Sequence, residues 1–375
     1  MPHPLVSSLA LAWAIERGER PVPNAAIGAL QMDVAEFLNL YPHRAPHIMW
    51  FLGAGTSVGA GLPSASVLTW EFKRALYCNR QKIPPSRFRD LDDPYFQSLV
   101  QSYFDSQTGS PKLWDDAEYS FYFERYLPDE ADRRRFLDGR MRGVKPSFGH
   151  LCLAALHAIG KARITWTTNF DPLIERAMGQ DVFSASFLGG ITVASLDCPD
   201  KAQDSIHDER WPLVVKSHGD FQYRKLMNTH SELQKQNDVL QKCLIDQSNR
   251  YGLAVAGYSG RDQSVMSAFR EALSGPSPFP HGLFWFVRHG NVPSPYTIAL
   301  LNEARAKGVQ ASFIEIGGFD ELMADLFLPH HDQLPLVRDI VKQQRERRAP
   351  VVPQYGPGNW PVIRTNALEV VTFPS

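Results

Sequence analysis

The strongest constraint in this 375-residue chain is a recurring punctuation, in which a short apolar run stops at a cluster of glycine and polar residues. Ile48 to Leu52 ends in Gly53-Ala54-Gly55, and Arg163 to Trp166 leads into Thr167-Thr168-Asn169-Phe170-Asp171. Leu213 to Val215 runs into Lys216-Ser217-His218-Gly219-Asp220, and Leu253 to Ala256 into Gly257-Tyr258-Ser259-Gly260-Arg261-Asp262. Apolar runs this short, without polar alternation, read as strands buried on both faces. Leu283 to Val287 and Ser312 to Ile316 extend the series, with helical segments such as Ser231 to Ile245, Gln263 to Leu273 and Tyr296 to Ala306 between them. Strands alternating with helices predict a doubly wound α/β fold with a parallel sheet. Such sheets bind ligands outside the carboxyl ends of their strands, so the four polar clusters are expected to face one crevice.

Around this core the chain divides by pattern. Residues 1–45 read as an N-terminal helical arm, with Ile27, Leu30, Val34, Phe37 and Leu38 forming one apolar stripe and Pro21 and Pro23 separating it from the preceding helix. Two roles stay open for the arm: a packing extension, or a docking or oligomerisation surface. Leu9 to Ile15 is apolar, but no basic residue precedes it and Glu16, Arg17, Glu19 and Arg20 follow, so it reads as helix rather than as a signal peptide. Residues 46–345 form the α/β domain, interrupted by a helical insertion at about residues 67–160 where strand signals are scarce. Residues 346–375 hold Pro350, Pro353, Pro357 and Pro361 and read as an extended tail. Within the insertion, Arg133, Arg134 and Arg135 read as a solvated helix face, and Tyr119, Tyr122 and Tyr126 as packing residues. Trp114 and Asp115 to Glu118 are candidates for a lid.

Composition closes off several function classes. With 39 Lys+Arg against 40 Asp+Glu the formal net charge is −1, which removes a global basic footprint and leaves no expectation of direct sequence-specific nucleic-acid binding. No run approaches the ~18 apolar residues of a membrane span. The four cysteines, Cys78, Cys152, Cys198 and Cys243, are widely spaced, with no CxxC pair for a thiolate zinc site and no disulfide framework. A reducing cytoplasm is the expected location. His150, His157 and His207 lack metal-ligand spacing.

The segment from Gly53 to Ser64 joins the first predicted strand to a helix starting near Ser66. Two readings fit it: a plain βα turn, or a loop whose glycines let the backbone approach a pyrophosphate at a helix N-terminus. It is not the dinucleotide GxGxxG fingerprint, because Val58 stands inside it and no acidic residue ends a second strand about 20 positions on.

Taken in order, GAGTSVGAGLPS, TTNFD, KSHGD and GYSGRD resemble the sirtuin superfamily over most of residues 48–330. The resemblance implies a Rossmann-like sheet and NAD as the ligand. It implies that Gly53, Ala54, Gly55, Thr56 and Ser57 surround the pyrophosphate and nicotinamide ribose, with Leu62 and Pro63 in a flexible cofactor loop. Thr168, Asn169 and Asp171 would lie beside the nicotinamide and its ribose, and His218 would be the catalytic histidine. Gly257, Tyr258 and Ser259 would meet the adenosine side, supported by Asp262, and Phe319 would touch adenine.

Two departures from the deacylating sirtuins redirect this reading. No cysteine follows the His218-Gly219 pair closely, so their zinc module is missing, and the cofactor loop continues as Pro63-Ser64-Ala65-Ser66 rather than Pro-Asp-Phe-Arg. These departures resemble bacterial antiphage-defence effectors that consume NAD. The expected activity is therefore NAD hydrolysis at the nicotinamide–ribose bond, with Asn169, His218 and Asp171 catalytic and no zinc. Such effectors imply a homo-oligomer or a partner such as an ATPase or Argonaute. The alternatives are a non-catalytic subunit that binds NAD or ADP-ribose, and a deacylase or ADP-ribosyltransferase.

Overall fold

In a computed structural model, residue 28 and residues 30–113, 115, 117–217, 230–291 and 293–348 are described, without the side chains of 230–237, 345, 347 and 348. The strands are β1 (Gln31–Met32), β2 (Ile48–Leu52), β3 (Ile164–Thr167), β4 (Thr192–Ser195), β5 (Leu213–Lys216), β6 (Gly252–Ala256), β7 (Leu283–Arg288) and β8 (Ala311–Ile316). The helices are α1 (Val34–Arg44), α2 (Ala65–Gln81), α3 (Pro94–Asp105), α4 (Glu118–Tyr126), α5 (Glu130–Met141), α6 (Phe148–Ala158) and α7 (Leu173–Met178). They continue with α8 (Asp200–His207), α9 (His230–Ser248), α10 (Gln263–Ala272), α11 (Pro295–Ala306), α12 (Phe319–Phe327) and α13 (Pro335–Arg348).

The strands form one sheet in the order β1-β8-β7-β6-β2-β3-β5-β4, with every pairing parallel. Strand alternation explains how both faces are filled. On β2, Ile48, Trp50 and Leu52 join a core with α1, α6, α7, α12 and α13, while Met49 and Phe51 join the opposite core with α8 to α11. The doubly wound expectation is met. From β2 the chain first builds toward β3 and later returns to add β6 on the other side, so β2 and β6 flank the switch point where such sheets open a crevice.

The helical insertion between β2 and β3 has its own core. Phe72, Phe96, Phe104 and Tyr122 anchor a third cluster spanning Leu68 to Phe123, with Phe136 and Leu137 packed against it. By contrast, α6 packs on the sheet, with Leu151 to Leu156 buried in the first core.

The N-terminal reading needs correction. The described part of the stripe, Leu30 to Leu38, is not one helix, because Gln31 and Met32 pair with Phe313 and Ile314 as an edge strand. Asp33 then starts α1 by accepting the Ala35 N–H at 2.7 Å. Leu30 and Phe37 consequently fall into different cores. The segment from Leu9 to Ile15, the prolines at 21 and 23, and the tail from residue 349 lie outside the described residues.

Candidate functional site

The site is assembled from loops at the carboxyl ends of β2, β3 and β6. After β2, residues Ala54–Ala60 form a 3-10 turn that ends at Gly61 with φ +91°. This loop is seated on the β6 end, where the Gly53 N–H donates to the Ala256 carbonyl at 3.0 Å and the Gly55 N–H to the Gly257 carbonyl at 2.8 Å. Gly257 has φ +65°, and a Cβ there would lie 2.4 Å from the Thr56 nitrogen. Gly53 likewise leaves no room for a Cβ, with Gly257 O at 2.6 Å. Both glycines are therefore required for backbone-on-backbone packing.

After β3, the Thr167-Thr168-Asn169-Phe170-Asp171 loop locks onto the first loop. Asn169 Nδ2 donates toward Gly53 O at 3.1 Å, Thr56 Oγ1 at 3.2 Å and Ser57 Oγ at 3.1 Å. The amide orientation is fixed by chemistry, since a carbonyl oxygen can only accept. Both hydroxyls have also spent their own hydrogen: Thr56 donates to Gly53 O at 2.8 Å and Ser57 to Asp171 Oδ2 at 2.7 Å. Asn169 Oδ1 is left buried with no hydrogen-bond partner among the described residues. A buried orphan acceptor is costly and marks a place where a ligand or water belongs.

Asp171 is 9% exposed. Burial pushes its carboxyl above the ordinary carboxylate range, opposed by the Ser57 hydroxyl, the Leu173 N–H, Lys216 and Arg176. The Leu173 N–H donates to Asp171 Oδ1 at 3.2 Å.

A cavity of about 710 Å³ opens over these loops. Ala54, Gly55, Ser57, Leu62, Pro63, Thr168, Asn169, Asp171, Gly257, Tyr258, Ser259 and Asp262 line it, so most of the expected binding residues meet at one place. Gly53 and Thr56 sit just beneath, holding the loop. Asp262 also caps α10, accepting the Ser264 N–H at 2.9 Å and the Val265 N–H at 3.3 Å.

His218 lies outside the described residues. Phe319 does not line the cavity: it is 7% exposed in the first core and rests edge-on against His150, with ring centroids 5.4 Å apart.

The insertion supplies a wall that the motifs did not reveal. Glu118 and Tyr119 from α4, Leu137, Arg140 and Met141 from α5, and Asp115 and Ala117 before α4 all line the cavity. Glu118 is pinned by an ion pair with Lys73, which is fully buried, donates to Gln101 Oε1 at 2.7 Å, and lies over the Trp70 and Tyr122 rings. The sequence hinted at this wall only through the polar stretch from Asp115 to Glu118. His150 and His157 are buried against Ser147 and Thr165 as structural groups. Among the described residues, no group of three or more His, Cys, Asp or Glu side chains is arranged to hold a metal ion, and no helix is long and apolar enough to cross a membrane.

Residues 163–311 match the family model of the SIR2-like domain. The match contains the β3, β5 and β6 loops, while the Gly53–Ser57 loop precedes it and joins by the contacts above. The family match and the motif resemblance thus point the same way over residues 163–311. A solved structure described as the structural basis for the mechanism and regulation of Sir2 enzymes is 14% identical, covering 82% of this chain and 98% of its own, with a TM-score of 0.36. A Sir2 histidine variant with deacetylated p53 peptide and 3′-O-acetyl ADP ribose is 16% identical, covering 80% of this chain and 98% of its own, with a TM-score of 0.38. Another Sir2 histidine variant, with p53 peptide and NAD, is 15% identical, covering 80% and 100%, with a TM-score of 0.38. No curated protein matches the chain.

Proposed function

We propose that this SIR2-like domain binds NAD across the β2–β6 switch point and hydrolyses its nicotinamide–ribose bond, yielding nicotinamide and ADP-ribose. The observation that carries the reading is the buried Asn169 Oδ1, which has no hydrogen-bond partner among the described residues, on a residue that lines the cavity together with Asp171. Cleavage at an anomeric carbon passes through an oxocarbenium-like state. The nicotinamide leaving group departs as a neutral base from a cationic ring and needs no acid to protonate it. The protein must then hold the ribose, stabilise positive charge and orient a water. Asn169 Oδ1 is an acceptor for the hydrogen of that water or of a ribose hydroxyl, and Asp171 supplies negative charge from a site that solvent barely reaches. His218 is assigned the role of base or ribose-hydroxyl partner, since the unperturbed pKa of a histidine, ~6.5, lies near neutral pH.

The cavity volume lies within the range of small-molecule sites, and the Gly53–Ser57 and Gly257–Ser259 loops present backbone where a pyrophosphate would approach. The resemblance to antiphage effectors extends the proposal to a defence role, in which triggered activity depletes NAD, and to a homo-oligomer or an ATPase or Argonaute partner. The test is nicotinamide release from NAD by the purified protein and by Asn169→Ala and His218→Ala variants, both of which are expected to be inactive. Nucleotide binding by calorimetry without nicotinamide release would instead identify a non-catalytic binding subunit.

A further inference from the structure

A lysine beneath the Asn169–Asp171 loop carries an inference that rests on the functional reading above. Lys216 ends β5 in register with Thr167, the last residue of β3, so its side chain starts one strand away from the loop. It is fully buried. Its Nζ donates to the backbone carbonyl of Asp171 at 3.1 Å and lies 2.7 Å from Glu175 Oε1 on α7. An ammonium in such a place is costly to desolvate, and an apolar side chain would pack there without that cost. Stability alone therefore does not explain the residue. What it does accomplish is geometric: it ties the carbonyl at the end of the site loop to both the neighbouring strand and the following helix. From above, Ser57 and Asn169 fasten the same loop to the turn after β2.

We propose that Lys216 is a positioning residue, which acts through the Asp171 backbone to hold the Asn169 amide and the Asp171 carboxylate against the Gly53–Ser57 loop in the geometry that receives the substrate. Lys216 is not among the residues that line the cavity.

The clamp has an electrostatic signature. The groups facing Asp171 are the Ser57 hydroxyl from the turn after β2, Lys216 from β5, and the Leu173 N–H and Arg176 from α7, with Glu175 behind Lys216 offsetting part of its charge. Removing the Lys216 charge leaves burial less opposed, so Asp171 takes up a proton at higher pH. Removing the Glu175 charge does the reverse.

The experiment uses the full-length protein with NAD as the probe and compares Lys216→Met, Lys216→Arg and Glu175→Gln. Lys216→Met is expected to lower kcat about tenfold or more with a smaller change in KM, and to move the acid limb of the pH profile to higher pH. Glu175→Gln should move that limb to lower pH, and Lys216→Arg should keep it near its wild-type position. Opposite shifts from two substitutions in one ion pair are not produced by loosened packing. The Asp171 carboxyl titration, read by ¹³C NMR against Asp171→Asn, reports the same shifts without turnover. Failure of NAD cleavage and failure of the clamp are therefore separate results. If Lys216→Met does not fold, Glu175→Gln and the titration decide. Wild-type kcat and an unmoved titration in Lys216→Met, or an unmoved titration in Glu175→Gln, would overturn the assignment.

Discussion

Ser57 donates its hydroxyl hydrogen to Asp171 Oδ2 at 2.7 Å, joining the loop after β2 to the loop after β3 by a buried bond. Because the hydrogen is spent there, the Ser57 oxygen accepts from Asn169 Nδ2 at 3.1 Å, and Asn169 Oδ1 has no hydrogen-bond partner among the described residues. One serine thus favours the ionised carboxylate against the effect of burial and helps to hold the amide. Replacing Ser57 with Ala removes a hydrogen bond to a charged group, worth about 1.5–3 kcal/mol. The expected result is a kcat/KM for NAD lowered about tenfold to a hundredfold, with the acid limb displaced to higher pH as Asp171 loses a group that favours its ionised form. A pH profile of the purified variant measures both effects.

Gly257 and Gly61 separate backbone strain from collision. Both have positive φ, +65° and +91°, but a Cβ on Gly257 would meet Thr56 N at 2.4 Å, whereas nothing lies within 4 Å of one on Gly61. Gly61→Ala should cost about 1 kcal/mol and leave nucleotide binding in place. Gly257→Ala should cost more than that and abolish binding, because the β2 and β6 loops are forced apart. Thermal melts with calorimetric titration of NAD check the pair.

The buried Lys73–Glu118 pair predicts a non-additive mutant cycle. Removing one partner leaves the other charge unpaired in the insertion core, where Lys73 is fully buried. Lys73→Met alone is expected to destabilise the fold by about 3–5 kcal/mol. The double variant Lys73→Met/Glu118→Gln should be less destabilised than Lys73→Met alone. Chemical denaturation of the single and double variants measures the difference.

Two histidines set an acid limit on stability. Burial pushes His150 down to about 4, opposed by Asp320, and His157 down to about 3. In the unfolded chain both titrate near ~6.5, so below that pH the unfolded state binds protons that the folded state refuses. Their contribution is fully present above pH ~6.5 and is lost progressively as pH falls toward the folded values. The melting temperature should fall across that window, and His157→Gln should make the fall less steep.

The order of polar clusters after short apolar runs made the sheet and the β2, β3 and β6 loops legible before any coordinates, because strand ends fix where neighbouring loops must meet. The edge strands were not legible. Gln31–Met32 has two residues and no β-branched signal, and Thr192–Ser195 lies among turn-forming residues. The cavity wall formed by Tyr119, Leu137, Arg140 and Met141 was hidden for a different reason. Helical periodicity shows that a face is apolar but not which distant element it covers. Phe319 shows the same limit from the other side. Its position after a strand end resembled that of a ligand contact, yet its ring lies in the first core against His150.

The central claim is that Asn169 and its neighbours cleave NAD rather than only hold it. Single-turnover incubation, with purified full-length protein in excess over NAD labelled on the nicotinamide, tests it most directly because even a slow resting enzyme must then convert its bound substrate. The account predicts release of nicotinamide and ADP-ribose in equal amounts by the wild type and none by Asn169→Ala. Bound NAD remaining intact in the wild type, or equal release by the two proteins, would contradict it.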